Sequence, residues 1–168
     1  MTDVVSFIGS STSGKTTLIV SLIKHLIADG RRVGAIKHTH HPMNTLRKGD
    51  TQRFYDAGAS PVILAGTGEA VVFSASDPLI VHYASPPELL THIAAEVVLV
   101  EGFKRFTGWP CILVRRAGVP LPDLDDRELE ATIDVSEGTM RILSRDAHVP
   151  TPVDPAGLLR FLDTIWRR

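Results

Sequence analysis

A short segment near the N-terminus carries the residues best suited to chemistry. Glycines at both ends of it let the backbone turn successive amide groups inward, which makes a nest for an anion. The Lys15 ammonium is then expected to bridge the β- and γ-phosphate oxygens of a nucleoside triphosphate, the Thr16 hydroxyl to bind Mg²⁺, and Thr17 to reach the α-phosphate. The segment matches G-x-x-x-x-G-K-[ST] at every fixed position and is called the P-loop below: Gly9-Ser10-Ser11-Thr12-Ser13-Gly14-Lys15-Thr16.

The P-loop pattern is informative when it lies between a strand and a helix, and its flanks meet both conditions. Val4 to Ile8 is a β-branched and aromatic run too short for a helix, which predicts a buried strand. Beyond Lys15, apolar residues recur every three to four positions until Gly30 supplies a stop, which predicts an amphipathic helix of about four turns. A second strand is predicted at Arg32 to Lys37, so these elements form a parallel βαβ unit.

A triphosphate site with Mg²⁺ also needs a carboxylate at the end of a strand beside the loop. Glu101 follows the apolar run Val97 to Val100, a predicted central parallel strand, and is expected to act on the ion through water or to orient the attacking water. Asp50 is the second candidate; it is equally suited to be the N-cap of a short helix, Thr51 to Ala57, and the two roles are compatible. Glu101 and Asp50 are therefore the candidate catalytic carboxylates, and Thr16 and Glu101 the candidate metal ligands.

A dense group of histidines follows the second predicted strand. Three of the seven histidines lie in the run Lys37-His38-Thr39-His40-His41. Clustered imidazoles can bind a transition metal or contact phosphates, but a zinc site would need further ligands such as paired cysteines, and the sole cysteine, Cys111, lies in a distant apolar run. Lys37 and His38 are candidates for contacts with the nucleotide, while a metal site and a plain exposed loop remain the alternatives.

The order of predicted strands and helices along the chain indicates one α/β domain spanning residues 1–168. Its fold class is a three-layer, P-loop NTPase-like domain with a mostly parallel central sheet and an added β-hairpin. The further predicted elements are hairpin strands at Pro61 to Ala65 and Ala70 to Phe73, a helix from Pro86 to about Ala95, strands at Cys111 to Val114, Thr132 to Val135 and Met140 to Leu143, and a closing helix from Pro155 to Trp166.

Composition excludes several classes of partner. The net charge is -1 and the basic residues are scattered, so the sequence has no basic tract for nucleic acid. No apolar run approaches the roughly 20 residues of a membrane span, and the N-terminus lacks the layout of a secretory signal. The lone Cys111 cannot form an internal disulfide and is expected to be a small buried apolar residue. These features predict a cytoplasmic protein with no membrane partner.

Several blocks of sequence resemble the molybdopterin-guanine dinucleotide biosynthesis protein B (MobB) family. The resemblance implies a homodimer that binds GTP and Mg²⁺, hydrolyses GTP slowly at best, and assists a molybdopterin guanylyltransferase that attaches GMP to molybdopterin. Molybdopterin is then a further candidate ligand, and the hairpin Pro61 to Phe73 offers an edge strand for the second copy. The blocks are Phe7-Ile8-Gly9 through Thr17, Gly34-Ala35-Ile36-Lys37-His38-Thr39-His40-His41, Asp50-Thr51 to Ala57-Gly58-Ala59, and Leu99-Val100-Glu101-Gly102-Phe103-Lys104.

The residues themselves leave other functions open. No N-K-x-D or T-K-x-D guanine-reading signature is present, so the sequence does not distinguish GTP from ATP. A small-molecule or nucleotide kinase is one alternative, although such enzymes often add an arginine-rich lid and the excursion Pro120 to Glu130 is acidic instead. A metallochaperone GTPase that uses His38, His40 and His41 for Ni²⁺ or Zn²⁺ is the other.

Overall fold

A β-sheet forms the centre of the fold. A computed structural model describes residues 2–43, 45–124, 127–136 and 138–167, and within these ranges the sheet has ten strands. The helices are α1 (Lys15–Ala28), α2 (Asp50–Asp56), α3 (Pro155–Trp166) and a 3₁₀ helix (Pro86–His92). The strands are β1 (Asp3–Ile8), β2 (Val33–His38), β3 (Val62–Ala65), β4 (Glu69–Phe73), β5 (Leu79–His82), β6 (Val97–Glu101), β7 (Cys111–Arg116), β8 (Ala131–Ser136), β9 (Thr139–Ser144) and β10 (Thr151–Pro152).

The strand order is β10-β9-β8-β7-β1-β6-β2-β3-β4-β5. The inner six strands, from β8 to β3, are parallel, and antiparallel strands extend the sheet at both ends. The β3–β4 pair is the predicted hairpin, with Val62 opposite Phe73. This topology confirms the predicted α/β class with its mostly parallel central sheet.

Both faces of the sheet are covered, which gives three layers. One face packs against α1, α2 and α3, and the core there includes Leu22 and Ile23 of α1, both fully buried. Each such side chain contributes about 1.5–3 kcal/mol of hydrophobic stabilisation, so α1 is held firmly and its N-terminus has a fixed position. The opposite face packs against the 3₁₀ helix and the segment 102–110, through Leu89, Phe103 and Trp109.

Three predictions about local structure are wrong. The helix predicted from Pro86 to about Ala95 is a 3₁₀ helix that ends at His92, since Ile93 is already extended. Strand β5 was not predicted, and it covers β4, so the edge of the described sheet is β5 rather than the Pro61 to Phe73 hairpin. The N-cap of α2 is Gly49 rather than Asp50, which is the first residue of the helix and pairs its carboxylate with Lys37.

The remaining sequence expectations concern burial and membranes. Cys111 is buried as predicted, and burial raises the pKa of its thiol. Within the described ranges, no helix has both the length and the apolar character needed to cross a bilayer. Residues 125 and 126 of the predicted excursion Pro120 to Glu130 lie outside the described residues.

Candidate phosphate-binding site

The candidate residues converge at one edge of the sheet because three neighbouring parallel strands end there. Strand β6 lies between β1 and β2, and Glu101 at its end is in register with Phe7 on one side and Lys37 on the other. The P-loop leaves β1 at this edge and enters α1 at Lys15. The carboxyl ends of the strands thus bring together residues far apart in the sequence, at the position where α/β folds bind ligands.

Two glycines shape the P-loop. A Cβ atom on Gly9 would lie 2.2 Å from the Val114 carbonyl oxygen of β7, so only glycine fits this close approach. Gly14, the N-cap of α1, has a φ of 99°, in the left-handed region that glycine adopts without strain. Among the residues that the structure describes, no side chain caps this helix end, so its first amides are left for an anion.

The Lys15 side chain folds back over the P-loop. Its Nζ donates hydrogen bonds to the Ser10 carbonyl oxygen at 2.7 Å and to the Ser13 hydroxyl at 3.3 Å. Burial lowers the pKa of Lys15; Glu101 opposes this effect, and the nearby Lys37 adds to it. Within the described part of the chain Lys15 has no ion pair, so a phosphate would supply the anion that the ammonium lacks.

The Glu101 carboxylate is the centre of a charged cluster. Its side chain is only 4% exposed. One carboxylate oxygen, Oε2, accepts a hydrogen bond from the Thr16 hydroxyl at 2.9 Å, and Oε1 accepts one from Lys37 Nζ at 2.5 Å. The two predicted metal ligands, Thr16 and Glu101, are therefore in direct contact beside the P-loop.

Lys37 connects the two candidate carboxylates. Its Nζ also lies 2.8 Å from Asp50 Oδ2. Burial alone would lower the pKa of Lys37, but Glu101 and Asp50 outweigh that effect and raise it. Arg53, one turn along α2, donates a hydrogen bond to the Thr17 hydroxyl at 3.2 Å and lies 3.8 Å from Asp50 Oδ1. This hydrogen bond joins helix α2 to the first turn of α1.

His38 packs against an aromatic residue that sequence reasoning did not single out for a role in the site. The His38 and Phe103 rings are stacked, with centroids 4.3 Å apart. Gly102 and Phe103 both have positive φ values, 108° and 52°, and a Cβ atom on Gly102 would lie 2.9 Å from His38 Cβ. Burial, with the nearby His40 and Lys37, lowers the pKa of His38 to about 4, so the imidazole is neutral at pH 7.

A cavity of about 530 Å³ contains most of the predicted site residues. Ser10 and Ser13 are the P-loop residues that do not line it: the Ser10 hydroxyl donates to the Pro120 carbonyl oxygen, and Ser13 is buried beneath Lys15. Arg115 does not line the cavity either, because its guanidinium donates to the Asp134 carboxylate on β8. The residues lining the cavity include Gly9, Ser11, Thr12, Gly14, Lys15, Thr16, Thr17, Lys37, His38, His40, His41, Asp50, Arg53, Glu101, Lys104 and Arg116.

Two of the clustered histidines contact each other at the end of β2. His38 and His40 meet edge to face, with ring centroids 4.7 Å apart. Among the residues that the structure describes, no group of three or more His, Cys, Asp and Glu side chains is arranged to hold a metal ion. The geometry of this segment therefore gives no support to the metallochaperone alternative.

The topology and the site define the class of protein. A glycine-bounded loop that joins a central parallel strand to a helix, with a buried acid on the neighbouring strand, is the arrangement of a P-loop α/β domain. The family model described as "Molybdopterin guanine dinucleotide synthesis protein B" (MobB) matches residues 4–135, and the chain belongs to this family.

Individual relatives agree with the family match. The chain is 40% identical over 122 residues to the molybdopterin-guanine dinucleotide biosynthesis adapter protein of Haemophilus influenzae, a match that covers 70% of this chain and 67% of that protein. It is 35% identical over 106 residues to the Escherichia coli protein of the same name, which covers 62% of this chain and 61% of the relative. The matched region thus spans about two thirds of these proteins or less.

A solved structure supports the fold. The crystal structure of Bacillus subtilis MobB aligns over 97% of this chain and 95% of its own, with 22% sequence identity and a TM-score of 0.50. The resemblance to the MobB family and the predicted α/β architecture are both confirmed.

Proposed function

We propose that this chain is a GTP-binding adapter protein of molybdopterin guanine dinucleotide synthesis, and at most a slow Mg²⁺-dependent GTPase. The nucleotide part of this proposal rests on one observation: Lys15 and the hydrogen-bonded pair Thr16–Glu101 line the same cavity at the carboxyl ends of the strands. Membership of the MobB family, whose relatives are named as adapters, supports the biosynthetic part.

The P-loop residues fit a triphosphate without rearrangement of the fold. The Lys15 ammonium would exchange the Ser10 carbonyl and the Ser13 hydroxyl for β- and γ-phosphate oxygens, which are stronger acceptors because they are charged. Thr16 would bind Mg²⁺ directly and Glu101 would hold it, directly or through water. The ion, when bound, neutralises charge between the β- and γ-phosphates.

We assign the nucleoside to a second cavity, which shares Gly14, Thr17 and Arg116 with the phosphate site. It measures about 750 Å³ and lies between the start of α1 and the ends of β7 and β8, on the side of the P-loop away from Glu101. Apolar contacts from Leu18, Val135 and Met140 and the guanidinium of Arg116 suit a purine ring and its ribose. The choice of guanine over adenine in this proposal rests on the family.

Slow turnover follows from the charged cluster. Both Glu101 oxygens are engaged, by Thr16 and by Lys37, and Asp50 is shared between Lys37 and Arg53. Because these carboxylate oxygens already face a hydroxyl or a cation, neither acid is free to take a proton from an attacking water. The chain would therefore hold GTP for a molybdopterin guanylyltransferase in the cytoplasm, and that partner would attach GMP to molybdopterin.

Thermal unfolding in the presence of nucleotides tests this function. With Mg²⁺ and GTP at about 100 times its dissociation constant, stability rises by about 2.7 kcal/mol, which is a clear increase in Tm for a domain of this size. We expect a smaller increase with ATP, and a smaller increase with GTP when EDTA removes Mg²⁺. A Tm that no nucleotide changes contradicts the proposal.

We further propose that the protein is a homodimer joined through β5. This strand is the edge of the described sheet on that side, and Leu79 and Ile80 on it are 55% and 51% exposed. An apolar edge strand is a template for pairing with another chain, and two copies related by a twofold axis would cover both edges. At the opposite end of the described sheet, the two-residue strand β10 contains Pro152, which pairs poorly.

Ile80→Lys is expected to dissociate this dimer. A charge on the edge strand must be buried or left unpaired at the interface, which costs several kcal/mol per copy. Analytical ultracentrifugation should show a dimer for wild type and a monomer for Ile80→Lys. The matched control is Val149→Lys, which adds the same charge at a 66% exposed apolar residue near the other edge. A wild-type monomer, or a dimer lost only in the control, contradicts pairing through β5.

A further inference from the structure

A third cavity adjoins the phosphate site and has more aromatic walls. It measures about 700 Å³; His38, His40, Phe103 and Phe106 are its aromatic walls, and Lys104 and Arg105 line it with one acid, Asp123. We propose that it binds a flat heteroaromatic ring that carries an acidic group. The inference deepens the proposed function, because a phosphorylated pterin belongs to this chemical class.

The aromatic walls favour a flat ring. His38 and Phe103 are stacked 4.3 Å apart, and His40 meets the His38 ring edge to face. Phe106 is half-buried and is held at 4.7 Å by the buried Trp109. Aromatic rings fixed in this way offer stacking surfaces that lose little conformational freedom on binding.

The acidic group is favoured by two unpaired cations. Lys104 and Arg105 are exposed, and in the described part of the chain neither side chain has a hydrogen bond or an ion pair. Other arginines nearby are engaged: Arg127 donates to the Phe103 and Lys104 carbonyl oxygens, and Arg115 pairs with Asp134. A guanidinium free of partners binds a phosphate or carboxylate through two parallel hydrogen bonds.

The cavity is continuous with the phosphate site but lies away from the proposed nucleoside cavity. His38, Phe103 and Lys104 line both this cavity and the phosphate site. It lies on the Glu101 side of the P-loop, whereas the nucleoside cavity lies on the side of β7 and β8. A heterocycle bound here would therefore sit beside the terminal phosphates of the nucleotide and leave the purine site free.

Fluorescence titration with 6-carboxypterin, a flat heterocycle with a carboxylate, tests the proposal. We expect saturable binding to the full-length wild-type protein, and weaker binding of unsubstituted pterin, which lacks the acid. Arg105→Gln removes the guanidinium, and Phe106→Leu keeps an apolar contact with Trp109 but removes the ring face. Each should weaken 6-carboxypterin binding roughly tenfold, in line with the loss of one stacking or charged contact.

The controls separate this inference from the function on which it rests. Arg167→Gln removes an exposed arginine after α3 and should bind the probe like wild type, and thermal unfolding checks that each variant is folded. GTP should not displace the probe. If wild type binds GTP but not 6-carboxypterin, or if GTP displaces the probe competitively, the second site is wrong while the nucleotide site stands. If wild type binds neither, both proposals fail.

Discussion

Replacing Lys15 by alanine should abolish GTP binding while the protein remains folded. Within the described residues, the ammonium donates hydrogen bonds to the Ser10 carbonyl and the Ser13 hydroxyl and to no core residue, so its loss leaves the core of α1 intact. In the nucleotide complex it would make at least two charge-assisted hydrogen bonds, each worth about 1.5–3 kcal/mol. Their loss lowers affinity at least about 100-fold, since 1.4 kcal/mol is a factor of ten.

Equilibrium titration with a fluorescent GTP analogue measures this loss, and thermal unfolding without nucleotide tests the second half of the prediction. Because burial disfavours the Lys15 ammonium, the Tm of Lys15→Ala should equal or exceed that of wild type. Lys24→Ala is the matched control: this lysine is on the exposed face of the same helix. If Lys15→Ala bound GTP with the affinity of wild type, the P-loop would not be the nucleotide-binding site.

Replacing Glu101 by glutamine should remove the Mg²⁺ dependence of nucleotide binding. The amide keeps the shape of the side chain but loses the charge that would hold the ion with Thr16. The substitution also leaves Lys37 with Asp50 as its remaining acidic partner, so we expect a loss of stability of about 1–3 kcal/mol, below the cost of fully orphaning a buried charge.

The measurement compares GTP affinity with and without Mg²⁺. In wild type the ion should raise the affinity, and in Glu101→Gln the two affinities should be nearly equal. Glu128→Gln serves as the control, because its carboxylate is 86% exposed and belongs to β8's entry loop rather than the site. If Glu101→Gln keeps the full effect of Mg²⁺ and Asp50→Asn loses it, the ion ligand is Asp50.

The sequence was most informative where one pattern repeated over many residues. The three-to-four spacing from Leu18 predicted α1, and the apolar stripe between Pro155 and Trp166 predicted α3 with the same bounds as the structure. The apolar run before Glu101 predicted a central parallel strand, and β6 lies between β1 and β2. Because neighbouring parallel strands end on the same side of the sheet, this strand prediction was enough to place Glu101 beside the P-loop.

The parts that sequence reasoning missed depend on contacts between distant residues. In the sequence Asp50 stands where an N-cap is expected, but it is the first residue of α2 and its carboxylate pairs with Lys37 on β2. A local pattern cannot show which of two partners a carboxylate will choose. Strand β5 is four residues long, and its sequence Leu79-Ile80-Val81-His82 lacks the alternation of apolar and polar residues that identifies a half-buried strand.

The same reason explains why the aromatic wall was not predicted. Phe103, with its unusual φ of 52°, follows Gly102 at the point where the chain passes close to His38, and this approach exists only once β2 and β6 are neighbours. A bulky residue in the left-handed region costs about 1–3 kcal/mol and is often found at functional sites. The pair Gly102-Phe103 directly after the buried acid is the signal that could have drawn attention to this wall.

A crystal structure with Mg²⁺ and a non-hydrolysable GTP analogue tests the nucleotide site most directly. We expect the β- and γ-phosphates on the amides of Gly14 to Thr16, Lys15 Nζ turned from Ser10 to the phosphate oxygens, and the ion between Thr16 and Glu101. An analogue bound elsewhere, with Lys15 still on the Ser10 carbonyl and no ligand in the P-loop, would contradict the assignment.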